Sequence, residues 1–273
     1  MTEVKAVAAE PKYTRQTVTH RRAWLSEKLI SIRVTRDQHF NFLPGQFARL
    51  GLALDPDQPQ TPTEWRAYSM VSHPDQNELE FFSVIVPDGK FSPALARLQP
   101  GEALWIDKTS FGFLTLERFA DGEDLWLIAT GTGLSAYLSM LRDTHTWERF
   151  KHVIVIHGVQ YANELAYRDE ILEMVAAHAP GQLLYIPITS QEPTAPKLSP
   201  ALQSLTPPAR ITTLLDNGEL ERRIGITLDP SRSRVMLCGN PAMVTAMRAS
   251  LSTMGFAPGR RGVAGNLAVE NYW

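Results

Sequence analysis

Arg66-Ala67-Tyr68-Ser69 places a guanidinium, a phenol ring and a hydroxyl within four residues. Arginine offers a forked, permanently charged donor that matches a phosphate. A tyrosine ring can lie on a flat heteroaromatic face, and a serine hydroxyl can donate to a ring nitrogen. Together they suit a planar, phosphate-bearing ligand of the flavin dinucleotide kind. Further residues of chemical interest occur in order along the chain. Pro44-Gly45-Gln46-Phe47 precedes the tetrapeptide, and Gly89-Lys90-Phe91-Ser92 follows it, opening a helical stretch at 93–98. Backbone N–H groups at such a helix start attract phosphate. Thr130-Gly131-Thr132-Gly133 follows an apolar run, Cys238-Gly239-Asn240-Pro241 follows another, and the sequence closes on Glu270 and Tyr272-Trp273. The glycine turn lacks the full G-x-G-x-x-G fingerprint, so by itself it is a modest dinucleotide signal.

These residues need elements to hold them. Residues 1–15 read as a flexible polar tail. Residues 28–34, 47–52 and 79–86 read as strands, separated by Pro44-Gly45, the proline-rich stretch 55–64, Pro74-Asp75, Asp88-Gly89 and Pro100-Gly101. Short strands with frequent turns predict a closed antiparallel barrel over 16–118. The texture then changes. Residues 125–129 and 153–157 are continuous apolar runs, as expected of strands buried on both faces. Each is followed by a helical stretch, to Arg142 and over 162–177, and further strands are expected at 183–188 and 235–238. Alternating strand and helix predicts an α/β parallel-sheet domain over 119–273, with the boundary near 117–122. Six prolines between 187 and 208 predict a long irregular loop inside it.

Composition removes several classes. With 27 basic and 29 acidic residues the net charge is -2, so nothing asks for nucleic acid or an anionic membrane. One cysteine rules out an internal disulfide or a cysteine-built metal or iron–sulfur site. The seven histidines show no metal-binding spacing, so no metal is expected. No apolar run approaches the ~18 residues of a membrane span, and no signal-peptide core precedes the barrel. A cytoplasmic protein without membrane insertion is expected.

The ordered set of motifs resembles the ferredoxin–NADP reductase family, most closely its bacterial ferredoxin/flavodoxin branch, over residues 16–273. The resemblance implies an N-terminal FAD barrel, a C-terminal nicotinamide-nucleotide domain and a cleft where both rings meet. It implies that Arg66 and Ala67 meet the FAD pyrophosphate region, that Tyr68 stacks on the isoalloxazine and that Ser69 sits near its N5. Ser83, Val84, Ile85 and Val86 would line the flavin through backbone groups, and Lys90, Phe91 and Ser92 would hold the pyrophosphate. Tyr272 would cover the other flavin face and Trp273 would pack on FAD.

Thr130, Gly131, Thr132 and Gly133 would hold the nicotinamide nucleotide, with Thr132 near FAD as well. Ala136 stands where the family often has proline. Cys238 has two readings: a small buried hydrophobe, or, with Gly239, a neighbour of the nicotinamide ring. Glu270 is either a proton relay or a solvated surface carboxylate.

The resemblance also implies an NADP(H) substrate, recognised by Gln160, Ser190, Gln191 and Arg210. Gln160 and Gln191 stand where relatives carry arginine, which keeps NAD(H) open, while Arg210 and Lys197 remain as cations. The expected partner is ferredoxin or flavodoxin docked over the flavin edge, with Arg260 and Arg261 as candidates, and a monomer is expected. Two rivals remain: an NADH-dependent reductase component of an oxygenase system, and a flavin-binding regulatory protein without turnover.

Overall fold

The computed structural model describes residues 12–26, 28–260 and 263–271. The first half forms strands β1 (Tyr13–Leu25), β2 (Leu29–Thr35), β3 (Phe47–Leu52), β4 (Glu64–Ser69) and β5 (Glu78–Val84), helix α1 (Phe91–Arg97) and strand β6 (Ala103–Asp107). The sheet order is β4-β3-β6-β1-β2-β5, antiparallel throughout. Its ends meet where Met70 bridges Phe81 and Val71 N–H donates to the Glu80 carbonyl at 2.8 Å, so the six strands nearly close into a barrel. Alternation along the strands fills the interior with Val18, Ile32, Val34, Leu50, Leu79, Phe81 and Leu104, and Leu95 of α1 plugs one end.

The second half runs β7 (Asp124–Thr130), α2 (Leu134–Leu141), α3 (Thr144–Arg149), β8 (His152–Val159), α4 (Arg168–Ala177), β9 (Leu183–Thr189), α5 (Ile211–Asp216), α6 (Glu219–Ile224), β10 (Ser233–Gly239), α7 (Pro241–Thr253) and β11 (Leu267–Asn271). The five strands are parallel in the order β11-β10-β7-β8-β9. The continuous apolar runs have a simple cause. Leu125, Leu127 and Ala129 face a core shared with α2 and α4, whereas Trp126 and Ile128 face one shared with α5, α6 and α7. The expected two-domain architecture, barrel followed by parallel α/β sheet, is the one observed.

The two halves share a boundary that is both apolar and polar. Leu29, Val71 and Phe82 of the barrel join the core under α2. The Tyr167 ring packs tilted against Trp24 at 4.4 Å and meets Phe82 edge-on at 5.3 Å. Its hydroxyl donates to Glu80 Oε1 at 2.8 Å. Arg142 donates to the Val71 carbonyl at 2.7 Å and to Glu170 at 2.8 Å, and lies 3.5 Å from Glu80 Oε2.

Three local expectations need correction. Strand β1 starts at Tyr13, inside the stretch read as tail, because Tyr13 to Thr17 pair with β6 and the Tyr13 ring packs on Trp65 at 5.4 Å. The helix expected from 162 starts at Arg168. A 3-10 turn (Ala162–Glu164) comes first, and Tyr167 adopts φ 60 to change direction. The irregular loop expected over 187–208 begins only after β9 ends at Thr189, and it is tied down along its length. Thr194 bridges Thr206, the Ser199 hydroxyl donates to the Tyr185 carbonyl at 2.5 Å, and Leu198 and Leu202 pack with Val159 and Leu165 in a small core of their own.

Candidate functional site

The parallel strands carry their loops to one edge, and there a crevice of about 490 Å³ opens between sheet and barrel. Ligands in open α/β sheets bind outside the carboxyl ends of the strands, where the order reverses. Here β7 is that point, with β8 on one side and β10 on the other. The turn after β7 is shaped by one left-handed glycine and two close contacts. Gly131 takes φ 53, a left-handed value that suits glycine. Gly133 has no room for a side chain, because a Cβ there would lie 2.6 Å from the Cys238 carbonyl oxygen and 2.9 Å from Gly239 Cα. The Thr130 hydroxyl accepts the Asn240 N–H at 2.8 Å, locking the turn after β7 to the turn after β10.

Beneath the turn sits His157, fully buried, with Nε2 3.1 Å from the Gly131 carbonyl and Nδ1 3.3 Å from the Tyr185 hydroxyl. Burial pushes the imidazole down to about 4, so it is neutral and donates to the Gly131 carbonyl through Nε2. Asn240 caps α7, its side-chain oxygen accepting the N–H groups of Ala242 and Met243 at 2.9 and 3.3 Å.

Most residues expected to contact the nicotinamide nucleotide meet in this crevice. Thr130, Gly131, Thr132, Gln160, Ser190, Gln191, Arg210 and Gly239 line it. Gly133 and Cys238 stand behind the lining, and Cys238 is fully buried in the core under α2. Arg210 precedes α5 as an exposed cation. Lys197 is exposed in the turn Pro196–Leu198, away from the crevice lining. The barrel supplies Lys28, Leu29, Phe82 and Val84 to the opposite wall.

The barrel motif lies on β4. Arg66 is exposed, donating to the Trp65 carbonyl at 2.7 Å and lying 3.5 Å from Glu64. Ala67 is exposed beside it. Tyr68 is half-buried. Its ring stacks at 5.9 Å on Phe91, and the Ser83 hydroxyl lies 3.4 Å from its phenol oxygen. Burial raises the phenol above its ordinary value, so it stays protonated. Phe91 thus supports Tyr68 from the core, while Lys90 is exposed at the start of α1.

The segment 83–86 has few backbone donors to spare. Ile85 N–H donates to the Lys28 carbonyl at 2.8 Å, and Val86 N–H donates to the Ser92 hydroxyl at 2.9 Å. Ser83 and Val84 pair with Ile30 and Leu29 of β2.

Three buried side-chain oxygens have no hydrogen-bond partner among the described residues: Thr206 Oγ1 in the 187–208 stretch, and Ser69 Oγ and Glu270 Oε2 near the barrel motif. Ser69 pairs with Phe47 across the sheet. A Cβ at Gly112 would sit 2.9 Å from the Phe47 ring and 3.3 Å from Glu270 Oε1, so the carboxylate reaches the same end of the barrel. Burial pushes Glu270 up to about 7. Buried polar atoms are ordinarily paired. Orphaned oxygens beside a half-buried ring and an exposed guanidinium fit a polar, planar ligand with a phosphate arm, which is the chemistry of a flavin dinucleotide.

Residues 127–249 match the oxidoreductase NAD-binding domain family. The flavodoxin/ferredoxin–NADP reductase of Escherichia coli is 36% identical over 230 residues, covering 81% of this chain and 87% of that protein. The chain belongs to the ferredoxin/flavodoxin–NADP reductases. Ferredoxin–NADP reductase A of Sorangium cellulosum is 35% identical over 265 residues, covering 95% of this chain and 90% of the relative. A ferredoxin NADP+ reductase from Neisseria gonorrhoeae, solved with FAD and NADP bound, superposes with a TM-score of 0.86 at 33% identity, over 97% of this chain and all of that one. The ferredoxin reductase in carbazole 1,9a-dioxygenase, at 23% identity and a TM-score of 0.69, shares the fold.

Within this family member, sequence reading missed Lys28, Gly158, Glu164, Asn240 and Met243 as crevice residues. Asn240-Pro241 carried a helix-start signal that could have placed Asn240. Lys28 and Glu164 carried none, since each lies in a turn and meets the crevice only through tertiary packing. Tyr272, Trp273 and Arg261 lie outside the described residues, and Arg260 is exposed, its backbone paired with Val263. Among the described residues no helix is long and apolar enough to cross a membrane.

Proposed function

We propose that this protein is an FAD-dependent oxidoreductase that exchanges electrons between NADP(H) and ferredoxin or flavodoxin, acting as a cytoplasmic monomer. The observation that carries the reading is the shared crevice. Its floor is the Thr130–Thr132 turn with Gly239, and its far wall is the barrel surface at Leu29, Phe82 and Val84. Residues 16–118, extended back to Tyr13, would hold the flavin, and 119–273 the nicotinamide nucleotide.

When bound, a flavin supplies the capacity to take hydride and pass on single electrons. The side chains named here bind, orient and exclude water. Arg66 and Lys90 would neutralise the pyrophosphate, with Ser92 beside it. Tyr68, backed by Phe91, would present a rigid ring face. The Ser69 hydroxyl, buried and without an internal partner, would donate to a ring nitrogen. Glu270, held near 7 by burial, exchanges a proton with little cost around neutral pH. Gly131 would let a phosphate approach the backbone, while Gly133 lets the turn pack against Cys238-Gly239 behind it.

NADP(H) is favoured because Arg210 supplies a cation in the crevice. Gln160 and Gln191 supply hydrogen bonds without charge and favour a second reading, in which NADH also serves, as in an oxygenase reductase component. The test is rapid-mixing reduction of the FAD-loaded protein by NADPH and by NADH, with ferredoxin and flavodoxin as acceptors. Reduction by NADPH with transfer to a carrier is expected. FAD binding without turnover from either nucleotide would turn the assignment to a regulatory flavoprotein.

A further inference from the structure

Lys28 belongs to the barrel yet reaches the nucleotide crevice. Its carbonyl accepts the Ile85 N–H at 2.8 Å, which ties the β1–β2 turn to the chain leaving β5. Its ammonium pairs with Glu164 Oε1 across the domain boundary. The two ends differ in freedom: the Glu164 side chain is 9% exposed and that of Lys28 is 41% exposed. The second carboxylate oxygen of Glu164 accepts the Gln160 N–H at 3.0 Å. The carboxylate is therefore fixed, whereas the ammonium sits on a flexible four-carbon stem with water at hand.

Charge in the crevice sharpens the point. Among the described lining residues the cations are Lys28 and Arg210, and the anion is Glu164. One of two cations facing a ligand that carries a pyrophosphate is thus masked by a carboxylate. A charge-assisted bond to phosphate needs a bare cation.

We infer that Lys28 is a shared cation: Glu164 holds it in the free crevice, and a phosphate group of the incoming dinucleotide takes it over. Glu164 then sets nucleotide affinity by competition and helps product leave by reclaiming the ammonium. The inference rests on the reading that this crevice binds the nicotinamide nucleotide. A plain strut between domains would use the same ion pair but would not compete with ligand.

The test is calorimetric titration of NADP+ and NAD+ into the FAD-loaded, oxidised protein, with Lys28→Met, Glu164→Gln and the double variant. Gln at 164 keeps an oxygen for the Gln160 N–H and releases Lys28. Opposite effects are expected: Glu164→Gln tightens binding roughly three- to tenfold, and Lys28→Met weakens it by about as much, a charge-assisted bond to phosphate reduced by the water around a half-exposed ammonium. In the double variant the tightening disappears. Equal changes for both nucleotides place Lys28 on the pyrophosphate; a change confined to NADP+ places it on the 2′-phosphate.

Weakening by both single variants, or no change in either, overturns the inference and leaves a strut. Should Glu164→Gln fail to fold, Lys28→Met decides alone, and unchanged affinity overturns it. Wild-type protein that binds neither nucleotide overturns the functional reading instead.

Discussion

At residue scale, a glycine, a buried histidine and a trio of pocket side chains decide more than their neighbours. Gly133 packs against the Cys238-Gly239 backbone with less than a methyl group to spare. Gly133→Ala is expected to cost about 1–3 kcal/mol by overpacking, read as a lower denaturation midpoint, and to loosen nucleotide binding. His157 gives a pH signature. Its folded-state value near 4 lies below the unfolded 6.5, so the unfolded chain takes up a proton that the folded chain refuses. Its contribution is complete above pH 6.5 and is lost as pH falls toward 4. Urea unfolding at pH 5 rather than 7 should show a stability loss of about 2 kcal/mol from this group, absent in His157→Gln.

The nucleotide pocket makes the third case. Gln160→Arg and Gln191→Arg should each raise preference for NADPH over NADH roughly five- to a hundredfold, an effect that shrinks with salt. Arg210→Ala should raise the KM for NADPH and spare NADH. Steady-state kinetics with ferricyanide settles it, and equal weakening of both nucleotides by Arg210→Ala would remove that residue from 2′-phosphate recognition. Gln160, Gln191 and Arg210 were named from the family resemblance, and the structure brings all three to the crevice lining. Lys28 and Glu164 were not legible, because their meeting depends on how barrel and sheet dock.

At the scale of elements, the strands of the parallel sheet were readable from composition, since burial on both faces leaves no place for polar residues. Strand β1 was partly hidden for the opposite reason. It carries Arg15, Arg21 and Arg22, none of them buried, and its start is half-exposed, so the apolar signal is diluted. Helix α4 was misplaced because Tyr167, not glycine, adopts the left-handed conformation that precedes it. The cost of that geometry is offset by what the side chain reaches. Burial and the nearby Glu80 carboxylate push the phenol well above its ordinary value, so it remains a donor. Tyr167→Phe removes one hydrogen bond to a buried carboxylate, and a loss of about 1–3 kcal/mol is expected in chemical denaturation.

At the scale of the whole molecule, barrel and sheet are held together by charge as well as by apolar surface. Glu80 comes from the barrel, and Arg142, Tyr167 and Glu170 come from the α/β half. Arg33 adds a contact at 3.4 Å from Glu80 Oε2. Removing one partner of a buried pair costs more than the pair contributes, because the other charge is stranded. Arg142→Met is expected to cost about 3 kcal/mol or more, and Glu80→Gln in the same chain should recover much of it. A double-mutant cycle on unfolding free energies measures the coupling. Additive losses would show that the two groups act separately.

That network also constrains descent and engineering. A chimaera joining the barrel of one reductase to the nucleotide half of another inherits Glu80 from one parent and its counter-charges from the other. Recombinants between distant parents should lose stability unless the incoming half brings an arginine and a hydroxyl donor to the same seam, which a denaturation midpoint for each chimaera would read.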